Sequence, residues 1–245
     1  MDKDNGTDRR SMLKSAGAAV GLGMLAAGTS GCGNGANILT GKPDIQLDND
    51  AYYVDGTFSE DKAKDAYIAL MEYHGYPVYP GMKEGLWVSD YGTGQFAKLG
   101  LGARMWMNNA KDRYMLMDLF LMPNQMLPEH WHLEGTEGDD KGNPAKLEGW
   151  LVRYGTSYIV GIGEPNLPPE VKIPACHCGG QTETKHCVVA TPGMFVPLAK
   201  VESKHWQWAG SEGAILSEVA NVHSNSAVRH QDKACNDFFL NPPAT

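Results

Sequence analysis

The chain has 245 residues with 29 acidic and 21 basic side chains, a formal charge of -8 and 42% hydrophobic residues. That acidity, with no Lys/Arg cluster beyond the first segment, argues against a nucleic-acid-binding surface. Neither a GxxxxGK(S/T) phosphate loop nor a dinucleotide fingerprint within a βαβ pattern is present, which excludes the commonest nucleotide-binding architectures.

The first predicted segment, 1–32, is an export signal. Arg9-Arg10-Ser11-Met12-Leu13-Lys14 precedes a small-residue apolar run over 16–27, then Gly28-Thr29-Ser30-Gly31-Cys32. A twin arginine, a lysine and a short, weakly apolar stretch read as a twin-arginine signal. The run is too short and too rich in Gly and Ala to span a bilayer comfortably. The competing reading is a cytoplasmic protein with an Ala-rich first helix. Gly31-Cys32 looks like a lipobox, although Thr29 stands where leucine is usual. Cys32 is therefore a candidate for lipidation and membrane tethering, and the expected location is periplasmic, free or membrane-anchored. Residues 33–50, rich in Gly, Asn and Asp, read as a flexible tether. The remainder, 51–245, is about two hundred residues, enough for one sizeable core and so a single domain.

A helix opens that domain. Ser59 is a good N-cap, Glu60 and Asp61 suit the first turn, and Gly75 follows the end. Tyr67, Leu70, Met71 and His74 share one face, which should pack on the outside of a sheet. The rest reads as short strands over 104–108, 114–122, 148–154, 156–161, 193–198 and 214–219, each bounded by Gly, Pro or Asn. Such spacing with one helix indicates an all-β sandwich or barrel.

Within this pattern Pro128-Glu129-His130-Trp131-His132 is the most informative run. Side chains two apart on a strand face the same way, so His130 and His132 can aim both imidazoles at one metal ion. A carboxylate from the next strand and a later histidine would complete a half-open site, which suits a catalytic divalent metal. Two surface histidines beside a tryptophan are the plainer reading. Four cysteines, Cys176, Cys178, Cys187 and Cys235, are expected to form two disulfides. A small zinc site using Cys176-His177-Cys178 and His186-Cys187 is the alternative.

His130-x-His132, a following Glu, and Thr191-Pro192-Gly193 with His205 about a dozen residues on resemble the two motifs of the cupin double-stranded β-helix. More narrowly, the chain resembles the D-lyxose isomerase family of cupin sugar isomerases. The words that carry the likeness are Asp90-Tyr91-Gly92, Lys98-Leu99-Gly100-Leu101, the His130 run, Lys146-Leu147-Glu148, His205-Trp206 with Ala209-Gly210, and Glu212-Gly213-Ala214 to Ser217-Glu218. The resemblance implies an all-β cupin jelly-roll barrel with the N-terminal helix outside. It implies that His130, His132, Glu148 and His205 bind a divalent ion, manganese before zinc or iron, and that the chain pairs as a homodimer.

An insertion over 133–145 separates the His pair from Glu148, so Glu134 and Glu137 compete for the carboxylate role, and His223 competes with His205. Lys146 and Glu218 are the acid/base candidates, and Lys146, near a cation in a low-dielectric pocket, is expected to have a lowered pKa. Trp131, Trp150 and Trp206 adjoin the ligands as walls for a sugar, or else are core aromatics. His223 is a pocket-rim candidate, and Arg229 and His230 are placed to bind hydroxyls or close the pocket. The expected activity is a metal-dependent aldose–ketose isomerase acting on a monosaccharide, of the D-lyxose/D-xylulose or D-mannose/D-fructose type. An iron-dependent cupin dioxygenase and an exported carbohydrate-binding cupin without turnover are the alternatives.

Overall fold

A computed structural model describes Ile45 and residues 47–240. The export signal, Cys32 and most of the predicted tether lie outside the described residues. The last tether residues are already docked on the domain. Asp48 caps a short turn over Asn49–Tyr52, Asn49 Nδ2 donates to the Gly94 carbonyl at 2.8 Å, and its Oδ1 accepts from Ala97 N.

After a small hairpin, β1 (Tyr53–Val54) and β2 (Thr57–Phe58), the predicted helix forms as α1, Glu60–His74. Ser59 Oγ accepts from Lys62 N, and Gly75 closes the helix at φ 66°, a left-handed turn that costs a residue without Cβ nothing. Its buried face is Ala63, Ala66, Tyr67, Leu70, Met71 and His74, and its apolar members pack with Phe120 and Ile215 from the sheet and Met122 just beyond β5. Fully buried side chains such as Leu70 contribute about 1.5–3 kcal/mol each to holding that helix in place.

The strands that follow are β3 (Trp87–Ser89), β4 (Leu101–Asn109), β5 (Tyr114–Leu121), β6 (Met126–His132), β7 (Glu148–Gly161), β8 (His186–Ala190), β9 (Phe195–Pro197), β10 (His205–Ala220) and β11 (Val228–His230), before a C-terminal helix α2 (Lys233–Leu240). All named pairings are antiparallel. Two long strands organise the barrel. The first half of β10 lies between β6 and the second half of β7, with β11 and β8 outside them. Its second half lies between β5 and the first half of β7, with β4, β3 and β9 outside. Two sheets thus share two bent strands, the jelly-roll arrangement expected.

The bend has a chemical cause. The predicted strands 148–154 and 156–161 fuse into β7 through Gly155 (φ 69°), opposite a register shift in β10 beside Gly213 (φ 75°). A Cβ on Gly155 would sit 2.1 Å from the Gly213 carbonyl oxygen, so only glycine permits this crossing. Strand β8 and helix α2 were not anticipated, because both are short and their pattern is broken by Cys and polar residues. All four described cysteines are free thiols, which corrects the disulfide expectation. Cys187 lies on β8 and Cys235 on α2, held by different parts of the fold.

Candidate active site

Alternation along the strands decides what faces the barrel interior. On β5, Met117 and Leu119 point inward while Asp118 and Phe120 point out; on β10, Glu218 is inward and Ser217 outward. The inward side chains enclose a cavity of about 450 Å³, lined at one end by His130, His132, Lys146 and Glu218, and elsewhere by groups such as Leu127 and Met105.

At the polar end His130 and His132 from β6 meet His205 from β10, with ligating atoms of the three all within 4.8 Å of one another. Ring centroids lie 4.2 Å apart for His130 and His205 and 5.1 Å for His130 and His132. His130 Nδ1 bonds the Pro128 carbonyl at 2.8 Å and His205 Nδ1 the Ser203 carbonyl at 2.9 Å. Each ring therefore carries its proton on Nδ1, leaving the Nε2 lone pair toward the centre. Burial, followed by the neighbouring imidazoles, holds His130 well below its ordinary range, and burial lowers His132 to about 4. Neutral rings with free lone pairs are what metal ligation needs.

Glu148, the first residue of β7, places Oε1 3.1 Å from His132 Nε2 and 3.2 Å from His205 Nε2. Its other oxygen lies 2.7 Å from Lys146 Nζ. Lys146 also pairs with Glu218, whose second oxygen accepts from Trp150 Nε1 at 3.0 Å. All three charged groups are buried. Burial works to raise Glu148, but the Lys146 ammonium and then His132 outweigh it and hold the carboxyl well below its usual range. Glu218 is pushed up to about 7, by burial first and by Glu148 against the opposing pull of Lys146. At Lys146 burial lowers the pKa, but the charges of Glu148 and Glu218 outweigh burial and raise it.

This donor set fits a divalent cation. His132 Nδ1 and Nε2, His205 Nε2 and Glu148 Oε1 are buried without a hydrogen-bond partner among the described residues. Beside them one ammonium faces two carboxylates, so a buried negative charge is left that a dication would offset. Of the competing carboxylates, Glu134 and Glu137 are exposed on the insertion, and only Glu148 reaches the histidines.

No protein-family model matches the chain. It is 33% identical over 165 residues to a D-lyxose/D-mannose isomerase of Thermosediminibacter oceani, spanning 67% of this chain and 81% of that protein. It is also 31% identical over 161 residues to a D-lyxose ketol-isomerase of Cohnella laeviribosi, spanning 66% and 84%. The chain belongs to the D-lyxose isomerase family. An L-ribose isomerase of Cellulomonas parahominis shares the barrel, with a TM-score of 0.56 at 14% identity over 74% of this chain and 94% of that one. The chain is an aldose–ketose sugar isomerase of cupin fold.

The remaining predicted residues of this isomerase divide by strand face. Trp131 and Arg229 are cross-strand partners on β6 and β11, flanked by the inward pairs His130–His230 and His132–Val228. They face away from the cavity: Lys204 Nζ lies over the Trp131 ring at 4.7 Å, and Arg229 donates to the Ser226 and Val228 carbonyls. Trp206 is wholly buried behind β10, its Nε1 donating to the Thr184 carbonyl. The tryptophan at the site is Trp150, 5.2 Å from His205 between ring centroids. His223 lines the cavity 6.3 Å from His132 but outside the three-imidazole group, and bonds Asn225 Oδ1 at 2.9 Å.

Of the Arg229–His230 pair it is His230 that enters the cavity wall. Its ring is stacked on Phe239 of α2 at 5.1 Å and lies 5.4 Å from Tyr91, and burial pushes it to about 3. Tyr91 entered the sequence reading only as part of the Asp90-Tyr91-Gly92 likeness and Phe239 not at all, since the turn after β3 and helix α2 reach the cavity only through tertiary packing. The insertion contributes Asp140 to the wall, where its Oδ2 accepts from Ser226 Oγ at 2.7 Å.

Proposed function

We propose that this isomerase interconverts D-lyxose with D-xylulose and D-mannose with D-fructose, using manganese at the His130, His132, His205 and Glu148 site. The observation that supports it most is the Lys146–Glu218 pair set on the cavity wall beside the three imidazoles. Aldose and ketose differ by one proton moved between adjacent carbons through an enediolate and one moved between the two oxygens on those carbons, and the obstacle is the weak acidity of a C–H next to a carbonyl. A bound divalent ion supplies Lewis-acid polarisation of the sugar oxygens.

The protein's own groups do the rest. Glu218 takes the proton from one carbon and returns it to the next, held in place by Trp150 Nε1 and Lys146. Lys146 keeps a positive charge where negative charge develops on the sugar. A positioned base of this kind is worth about 10²–10⁴-fold in rate. A dioxygenase would have no use for such a pair. Tyr91, His230 and Phe239 form the wall against which the carbon chain rests.

Incubating the metal-loaded protein with D-lyxose and D-mannose in deuterated water tests the reading. Ketose carrying solvent deuterium is expected; no ketose and no exchange with several divalent metals would end it. Arg9-Arg10 and Cys32 support an exported, membrane-tethered form, which cell fractionation of the full chain checks. A homodimer is the assembly we assign, and sedimentation equilibrium measures it.

A further inference from the structure

Behind the cavity wall lies a second constellation of metal-ligating groups. His177 and Cys178, on the loop between β7 and β8, and Asp232, just before α2, bring a ring nitrogen, a thiol sulfur and a carboxylate oxygen within 4.8 Å of one another. His177 is fully buried, at 0% exposure, and neither ring nitrogen has a hydrogen-bond partner among the described residues. An imidazole in that position forfeits its hydration with nothing in exchange.

Charge points the same way. Asp232 is buried and forms no ion pair among the described residues. Its charge reaches His177 and Cys178. Backbone N–H groups of Cys178, Ala234 and Cys235 satisfy part of the Asp232 carboxylate, but they add no positive charge.

We propose that His177, Cys178 and Asp232 form a second metal site, of the zinc class, that ties the 174–181 loop to the first turn of α2. A mixed nitrogen, sulfur and oxygen donor set suits a borderline-soft ion such as Zn²⁺, and a fourth position remains for water or a thiol. Cys235, fully buried on α2, is near enough for Cys176 and Cys178 to act on it electrostatically. The consequence for function is mechanical. The same helix carries Phe239, which stacks on His230 in the cavity wall, so an ion here fixes the wall of a site whose chemistry lies elsewhere. The assignment does not depend on which reaction the cavity performs.

Cobalt(II) serves as the probe, because only a thiolate ligand gives sulfur-to-cobalt charge-transfer absorption and the three-imidazole site contains none. Added to the reduced full chain after chelation, cobalt is expected to develop that absorption in the wild type and in His132→Ala, and to lose it in Cys178→Ser. Its absence from the wild type, or its full retention in Cys178→Ser, overturns the site. Should Cys178→Ser fail to fold, alkylation of wild-type Cys178 mapped by mass spectrometry answers the question. Zinc at a hundred times its dissociation constant is expected to slow labelling about a hundredfold. Unchanged labelling, or a Cys178 disulfide that persists with zinc present, overturns it equally.

Discussion

Glu129 and Glu148 are two buried carboxylates of the same barrel, and they are held in opposite ways. Glu129, on the outward face of β6, accepts from Glu183 N, Thr184 N and Thr184 Oγ at 2.8, 2.8 and 2.6 Å. Three donors from one neighbouring segment fix it, and its bonds tie that segment down. Glu148, at the start of β7, instead shares its oxygens among Lys146 and two imidazoles whose lone pairs are otherwise unmatched. The first arrangement is complete without a ligand; the second is complete only with one. Burial alone therefore does not mark a functional acid. What marks it is a set of buried polar groups whose hydrogen-bonding capacity the protein does not itself satisfy.

The contrast breaks first at the imidazoles. His205→Ala should abolish stoichiometric binding at the barrel site and with it isomerisation, as read by metal analysis and ketose assay. Glu218→Gln should bind metal but lose about 10²–10⁴-fold in turnover, with the thermal midpoint held, whereas equal losses in Glu129→Gln would erase the distinction drawn here. Glu129→Gln is expected instead to keep turnover and lose about 1–3 kcal/mol in denaturant unfolding, since two backbone donors then face a neutral acceptor.

Smaller effects test the two faces of β6 and β10. Trp150→Phe removes one hydrogen bond from Glu218 and should cost about tenfold in turnover, roughly the 1.4 kcal/mol of one lost bond. Trp131→Leu and Arg229→Gln, on the outward side, should leave the rate within about twofold. The smallest expected change is at His74, whose Nε2 meets the Glu212 carbonyl at 2.9 Å. Burial lowers its pKa in the folded state, so the unfolded chain binds the proton first. The contribution of His74 to stability should then fall as the pH drops below about 6.5, by at most about 1.4 kcal/mol per pH unit, so that the total slope is less steep in His74→Gln.

Much of this was legible in the residues. The caps Ser59 and Gly75 and the Tyr67–Leu70–Met71–His74 face defined α1, because helix ends and helix faces are local events. The two-residue period placed His130 beside His132 on one side of β6, and Lys146 beside Glu148 where the chain enters β7. The same period, applied one step further, separates Trp131 from the cavity and, on β10, sets Trp206 opposite His205. Adjacency in sequence is opposition across a strand, and this is why those tryptophans fall behind the sheet while Trp150, in phase with Glu148, reaches the site.

The sequence by itself determined the strand-rich pattern, the helix and the pairing of His130 with His132, while the choice of Glu148 over Glu134 and Glu137 and of His205 over His223 came from the fold. Only the tertiary structure decided the rest. It joined two predicted strands through Gly155, brought Tyr91 and Phe239 to the cavity, and left the four cysteines unbonded. It also set two carboxylates beside Lys146, whose charges raise its pKa against burial. The reason is range. Periodicity and capping act over a few residues, whereas a pKa, a cavity wall or a thiol's partner depends on groups distant in the chain that packing brings within a few ångströms.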